Sequence, residues 1–151
     1  MQIKLDPLCG SEIRALLEEH VRNMYEVSPP DSVHVLDLAA LQQPEISFWT
    51  LWSGEELMGC GALKELSPEH AEIKSMRTAT AHRRKGVAEQ MLKHLLTVAT
   101  QRAYKRLSLE TGAQDFFKPA RRLYARFGFA DCPAFEGYVE DPHSVFMTKI
   151  L

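Results

Sequence analysis

Apolar side chains change their spacing several times along this chain, and each change marks an element. Gln2 to Leu5 alternates polar and apolar residues and predicts a short first strand. Ser11 fits an N-cap, and Ile13, Leu16, Leu17, Val21 and Met24 then recur at helical spacing. Ser28-Pro29-Pro30-Asp31 ends that helix, because proline cannot continue it. A second short helix is predicted around Asp37 to Gln42, ahead of Pro44. Three strand-like segments follow, Ile46 to Trp52, Leu57 to Leu63 and Ala71 to Thr78. Ser53-Gly54-Glu55-Glu56 joins the first two as a hairpin, and Ser67-Pro68-Glu69 breaks the next pair.

Beyond residue 86 the helical period returns. Val87, Ala88, Met91, Leu92, Leu95, Leu96 and Ala99 mark one face of a long helix reaching about Ala103. Arg106 to Glu110 reads as a strand. Lys118 to Phe127 reads as a helix with Ala120, Leu123, Tyr124 and Phe127 on one face. Gly128 fits the position after it, with Phe129 able to pack back. Two last strands, near Ala134 to Val139 and Ser144 to Ile150, close the chain. This order predicts one α/β domain over residues 1–151: a central mixed, mostly antiparallel sheet of six to seven strands, flanked by about four helices.

Composition supports one core and narrows the partners. The chain has 151 residues, 45% hydrophobic and 25% charged, enough for a single globular domain. A formal net charge of -2 argues against a general nucleic-acid binder, so the cluster Arg83-Arg84-Lys85 is a local feature. Cys9, Cys60 and Cys132 are far apart and form no disulfide framework, which fits a reducing cytosol. MQIKLDPL lacks a signal-peptide core, and no apolar run approaches the roughly 18 residues of a membrane span. The expectation is a cytoplasmic protein without a membrane partner. The six histidines show no paired ligand spacing and no Cys/His cluster, so no metal is expected.

The stretch Arg83-Arg84-Lys85-Gly86-Val87-Ala88 carries the first chemistry. A basic, glycine-containing turn at a helix start offers amides without intrahelical partners and the positive end of the helix dipole. Both suit phosphate. Taken alone, the stretch is equally readable as a solvated basic turn.

Its context resembles a known family. Arg83 to Ala88 matches the Gln/Arg-x-x-Gly-x-Gly/Ala signature of the GCN5-related N-acetyltransferases, the GNAT superfamily. The strand Glu72 to Thr78 precedes it, a long helix follows, and the element order agrees over nearly the whole chain. About 36 residues further on, Leu123-Tyr124-Ala125-Arg126-Phe127-Gly128-Phe129 is similar to the family's second signature, tyrosine plus Gly-Phe.

The resemblance implies a GNAT-like fold, acetyl-CoA as acyl donor, and transfer to a primary amine by direct attack in a ternary complex. It places the pyrophosphate on amides around Arg84 to Glu89, with Arg83, Arg84, Lys85, Gly86, Val87, Ala88 and Glu89 as cofactor contacts. It also places the pantetheine arm along Met76, Arg77 and Thr78, in a gap between their strand and Arg106 to Glu110. Tyr124 is the implied general acid for the leaving thiolate, although its spacing also fits simple burial. Glu72 is a candidate base and is equally readable as a surface partner of Lys74; Glu110 is its rival. The alternation puts Glu72, Lys74 and Met76 on one strand face and Ile73, Ser75 and Arg77 on the other. One departure stands out. Many relatives carry an asparagine after the Arg106 strand, whereas this chain reads Glu110-Thr111-Gly112-Ala113-Gln114.

Acceptor contacts are expected from the first helix and its loop, with His20, Tyr25, Ser28 and His34 as candidates and Glu110 opposite. Phe135 to Tyr138, Asp141 and His143 are placed to close the other side. The resulting expectation is a small-molecule amine acetyltransferase. A protein or peptide acetyltransferase and a non-catalytic acyl-CoA sensor remain alternatives, and the late strands leave room for a homodimer.

Overall fold

Two apolar clusters fix the architecture, because they lie on opposite faces of one sheet. The computed structural model describes residues 1–34 and 37–151. Its elements in chain order are β1 (Gln2–Leu5), α1 (Ser11–Val27), α2 (Leu38–Leu41), β2 (Ile46–Ser53), β3 (Glu56–Ser67) and β4 (His70–Thr78). They continue with α3 (Val87–Gln101), β5 (Arg106–Gly112), α4 (Lys118–Arg126), β6 (Ala130–Cys132) and β7 (Ser144–Ile150). All seven strands form one sheet in the order β1-β2-β3-β4-β5-β7-β6. Among the described residues only β4 and β5 pair in parallel, because α3 carries the chain across between them.

The larger cluster joins α3 and α4 to one sheet face. Leu92 and Leu95 are fully buried there, with Leu63, Ile73, Leu107, Leu109 and Tyr124 around them. On the other face Ile13 and Leu16 of α1 and Leu41 of α2 pack with Leu8, Phe48, Cys60 and Ala62. Trp49 belongs to the first cluster, edge-on to His94 of α3. The indole of Trp52 instead donates to the Thr50 hydroxyl at 2.7 Å.

Two predicted details differ. Gly10 occupies the N-cap of α1 and Ser11 is the first helical residue. The segment Ala134 to Val139 is a turn, and the short strand lies earlier, at β6. Glu136 and Gly137 hold φ of 46° and 83°, and the Tyr138 amide donates to the Phe135 carbonyl at 3.0 Å. Left-handed backbone cannot continue a strand. The turn brings Phe135 and Tyr138 in together to pack on Phe146.

The consequential irregularity is in β4. Ser75 has φ of 54°, and the pairing with β3 slips there, from Lys74 opposite Ala62 to Arg77 opposite Cys60. One extra residue reverses the alternation beyond it. Glu72 and Lys74 therefore share their face with Arg77, which reaches Glu19 and Asn23 of α1. Met76 faces α3, where a Cβ added at Gly61 would lie 2.9 Å from its Sδ and 2.8 Å from Cγ of Met91.

Close approach also explains a glycine. A Cβ at Gly59 would lie 2.8 Å from the Arg77 carbonyl oxygen and 2.7 Å from Val87 Cγ1. The first of these is backbone and cannot swing aside, whereas the neighbours of Gly61 are flexible methionines. Gly59→Ala should therefore cost about 1–3 kcal/mol and Gly61→Ala less, as urea unfolding of the two variants would show.

Candidate active site

The sheet opens where the site lies. Parallel pairing of β4 with β5 runs from His70 opposite Arg106 to Ile73 opposite Leu109 and goes no further. Both strands continue beyond that point, β4 to Thr78 and β5 to Gly112, without pairing to each other. A cavity of about 500 Å³ occupies the gap and passes residues from both sheet faces.

One end of the gap meets the start of α3. Arg84 and Gly86 hold φ of 63° and 79°, and Gly86 is the N-cap without any side-chain cap bond. Buried Val87 anchors the turn, leaving Arg83, Arg84, Lys85 and Gly86 exposed. The first amides of α3 thus face outward without intrahelical partners. A groove of about 420 Å³ adjoins them, lined by Arg84, Gly86, Val87, Ala88 and Glu89 on one side. Arg122 and Arg126 of α4 line the other side, and Arg126 donates to the Glu89 carboxylate at 3.1 Å. Lys85 donates to Nδ1 of His82 at 3.2 Å, and the Arg83 guanidinium lies 5.8 Å from the Phe116 ring centroid. The two α4 arginines escaped notice in the sequence, although their spacing of one helical turn on the helix carrying Tyr124 was available as a signal.

Tyr124 borders the middle of the cavity. It is 6% exposed and packs edge-on to Phe129 at 5.7 Å. Burial alone raises its phenol well above the usual 10, so the hydroxyl keeps its proton. Met76, Arg77 and Thr78 border the same cavity. The Arg77 side chain donates through Nη2 to Glu19 and Asn23, and its buried Nε has no hydrogen-bond partner among the described residues.

Beyond the gap, on the α1 face, polar groups converge. Glu72 is 2% exposed, and its Oε2 accepts from the Tyr138 hydroxyl at 2.7 Å and from Lys74 Nζ at 3.3 Å. Lys74 also donates to the Tyr138 oxygen at 2.7 Å and to the His34 carbonyl at 3.4 Å. Desolvation, and then the Glu72 charge, push the Tyr138 phenol far up, so it remains a donor. Glu110 accepts from Nδ1 of His34 and from the Ser144 hydroxyl at 2.8 Å. Glu72 and Glu110, expected as rivals, thus have separate sets of partners.

Among the remaining expected contacts, His20 and Ser28 line the cavity. Gln114 donates to the Ser28 hydroxyl at 3.3 Å. Tyr25 does not line it: one position past Met24, the ring turns away from the sheet and is 53% exposed. Lys74 and Ser144 were not anticipated as pocket residues, although strand alternation already put Lys74 beside Glu72.

The model of the acetyltransferase (GNAT) family matches residues 13–129. The chain belongs to the GNAT acetyltransferase family. It is 56% identical over 151 residues, the full length of both chains, to YsnE, an uncharacterized N-acetyltransferase of Bacillus subtilis. A proposed acyl-CoA N-acyltransferase of Klebsiella pneumoniae shares the fold with a TM-score of 0.84 at 30% identity, covering 99% of this chain and 97% of that one. A GNAT acetyltransferase of Elizabethkingia anophelis, solved with acetyl-CoA bound, has a TM-score of 0.71 at 19% identity, with 99% and 97% covered.

For a GNAT enzyme the residues present fit a CoA thioester. The uncapped, glycine-led start of α3, flanked by Arg84, Arg122 and Arg126, suits a pyrophosphate. The unpaired run of β4 leaves main-chain groups for an extended amide chain. Among the described residues no group of three His, Cys, Asp or Glu could hold a metal, and no helix is long and apolar enough to cross a membrane.

Proposed function

We propose that this GNAT enzyme transfers the acetyl group of acetyl-CoA to the primary amine of a small molecule by direct attack. The parting of β4 and β5 beyond Ile73 and Leu109 carries this reading, because it opens one cavity past Tyr124 to the polar cluster on the other face. Acetyl-CoA supplies an activated acyl group as its thioester. Amides of residues 84–89 hold its pyrophosphate, helped by Arg84, Arg122 and Arg126. Main-chain groups of Met76 and Thr78 align the pantetheine arm as an added strand. Tyr124 keeps its proton through neutral pH and gives it to the leaving sulfur.

Closure of the acceptor end favours a small molecule. The Ser32 hydroxyl donates to Asp141 at 2.5 Å, tying the loop after α1 to the segment before β7. The His34 bond to Glu110 and the Lys74 bond to the His34 carbonyl tie the same loop to β5 and β4. A protein acceptor needs an open groove at this point, and these bonds cross it.

Calorimetric titration with acetyl-CoA, followed by thiol release with a panel of small primary amines and lysine peptides, tests the proposal. The expected result is saturable acetyl-CoA binding and release driven by small amines. Preference for the peptides would overturn the small-molecule assignment, and absence of acetyl-CoA binding would overturn the whole reading.

A further inference from the structure

Glu72 is poorly placed to take a proton from the acceptor. Its Oε2 already accepts from an ammonium and a phenol, and the residue is only 2% exposed. The other carboxylate of the cluster is arranged differently. Glu110 sits against the His34 ring, and a carboxylate only accepts, so Nδ1 of His34 carries the proton in that bond. In the neutral ring that leaves Nε2 with its lone pair. The ring borders the cavity and is 26% exposed, whereas Glu110 is 14% exposed. Ser144 fixes the carboxylate, Lys74 fixes the His34 carbonyl, and the Tyr138 ring packs edge-on to the imidazole at 5.1 Å.

We infer that His34 is the proton acceptor for the attacking amine and that Glu110 is its positioning residue. The inference rests on the amine-acetylation reading above. It follows the general pattern of a base oriented by a third group. An ammonium acceptor loses two protons overall. One passes to Nε2 of His34, and from its exposed edge to solvent, before the N–C bond forms. The second leaves the nitrogen after attack and passes to solvent. A proton from solvent restores Tyr124 after the phenol has protonated the sulfur as the C–S bond breaks. No oxidant or reductant is needed. The charged and titratable groups around His34 are Glu110 from β5, Glu72 and Lys74 from β4, Tyr138 from the turn after β6, and Asp141 and His143 ahead of β7.

Two measurements test the assignment, with thermal melts confirming that each variant is folded. In the first, nitrogen NMR of histidine-labelled protein reads the His34 tautomer. Wild type should show Nδ1 protonated and Nε2 bare, and Glu110→Ala, which removes the acceptor, should lose that preference. An Nε2-protonated ring in wild type would overturn the dyad. The second compares an alkylamine from the panel with hydroxylamine, which is already neutral at pH 7 and needs no deprotonation before attack. His34→Gln should lower kcat/KM for the alkylamine about a hundredfold, change hydroxylamine acetylation by less than about threefold, and abolish the acid limb of the alkylamine pH profile. Glu72→Gln should keep that limb. An unchanged acid limb in His34→Gln, or equal losses with both nucleophiles, would overturn the inference. Wild type that acetylates no amine in the panel would instead overturn the amine-acetylation reading, with the tautomer still deciding the His34–Glu110 pair.

Discussion

Tyr124→Phe should lower turnover about a hundredfold or more while leaving acetyl-CoA affinity within about twofold. The substitution removes one hydroxyl and keeps the ring that packs on Phe129 and completes the α3–α4 cluster. Binding rests on main-chain amides and the arginines around the start of α3, which the change does not touch. Because burial raises the phenol above its usual 10, the wild-type profile should show no loss of activity from Tyr124 ionisation up to that pH. Steady-state thiol release and calorimetry on the same preparations separate the two effects. Unchanged turnover would make Tyr124 a core residue only.

Acid should weaken the protein through His20. This side chain is mostly buried at the cavity wall, and its Nδ1 has no hydrogen-bond partner among the described residues. Desolvation, and then the Arg77 charge, lower its pKa from 6.5 to about 4. Between those values the unfolded chain binds the proton and the folded chain does not, so stability falls as pH falls. The contribution is complete above about 6.5, and its loss is complete below about 4. It amounts to about 3 kcal/mol at most. Urea unfolding at pH 7 and pH 4.5 should show a smaller drop for His20→Gln than for wild type. A residual slope should persist in the variant, because burial also lowers His70 and His94. Equal drops would show that His20 does not carry the effect.

Local pattern carried much of the architecture. Val87 to Ala99 and Ala120 to Phe127 announced the helices that cover one sheet face, and the basic turn announced where the long helix starts. Tyr124 was legible for the same reason, since its place on an apolar helix face, just ahead of Gly128-Phe129, is local. The bulge at Ser75 was not. A serine with positive φ leaves no hydrophobic signal, yet it moves Arg77 to the Glu72 face and Met76 away from it. The turn at Glu136-Gly137 was not legible either: a glutamate with positive φ leaves no signal in the pattern, and the turn brings Phe135 and Tyr138 together on Phe146. Tyr25 was misplaced because a shift of one helical position from Met24 decides between cavity and solvent. The pairing of His34 with Glu110 spans 76 residues and depends on the α1 loop folding across the ends of β4 and β5. No local periodicity encodes that closure.

The acceptor end and the cofactor turn meet only if the thioester lies in the gap between β4 and β5. A crystal structure with CoA bound tests this most directly. The expected result is a pyrophosphate on the amides of residues 84–89, pantetheine amides bonded to the main chain of Met76 and Thr78, and the sulfur within hydrogen-bonding reach of the Tyr124 hydroxyl. CoA bound outside the gap, or a sulfur turned away from Tyr124, would contradict the account.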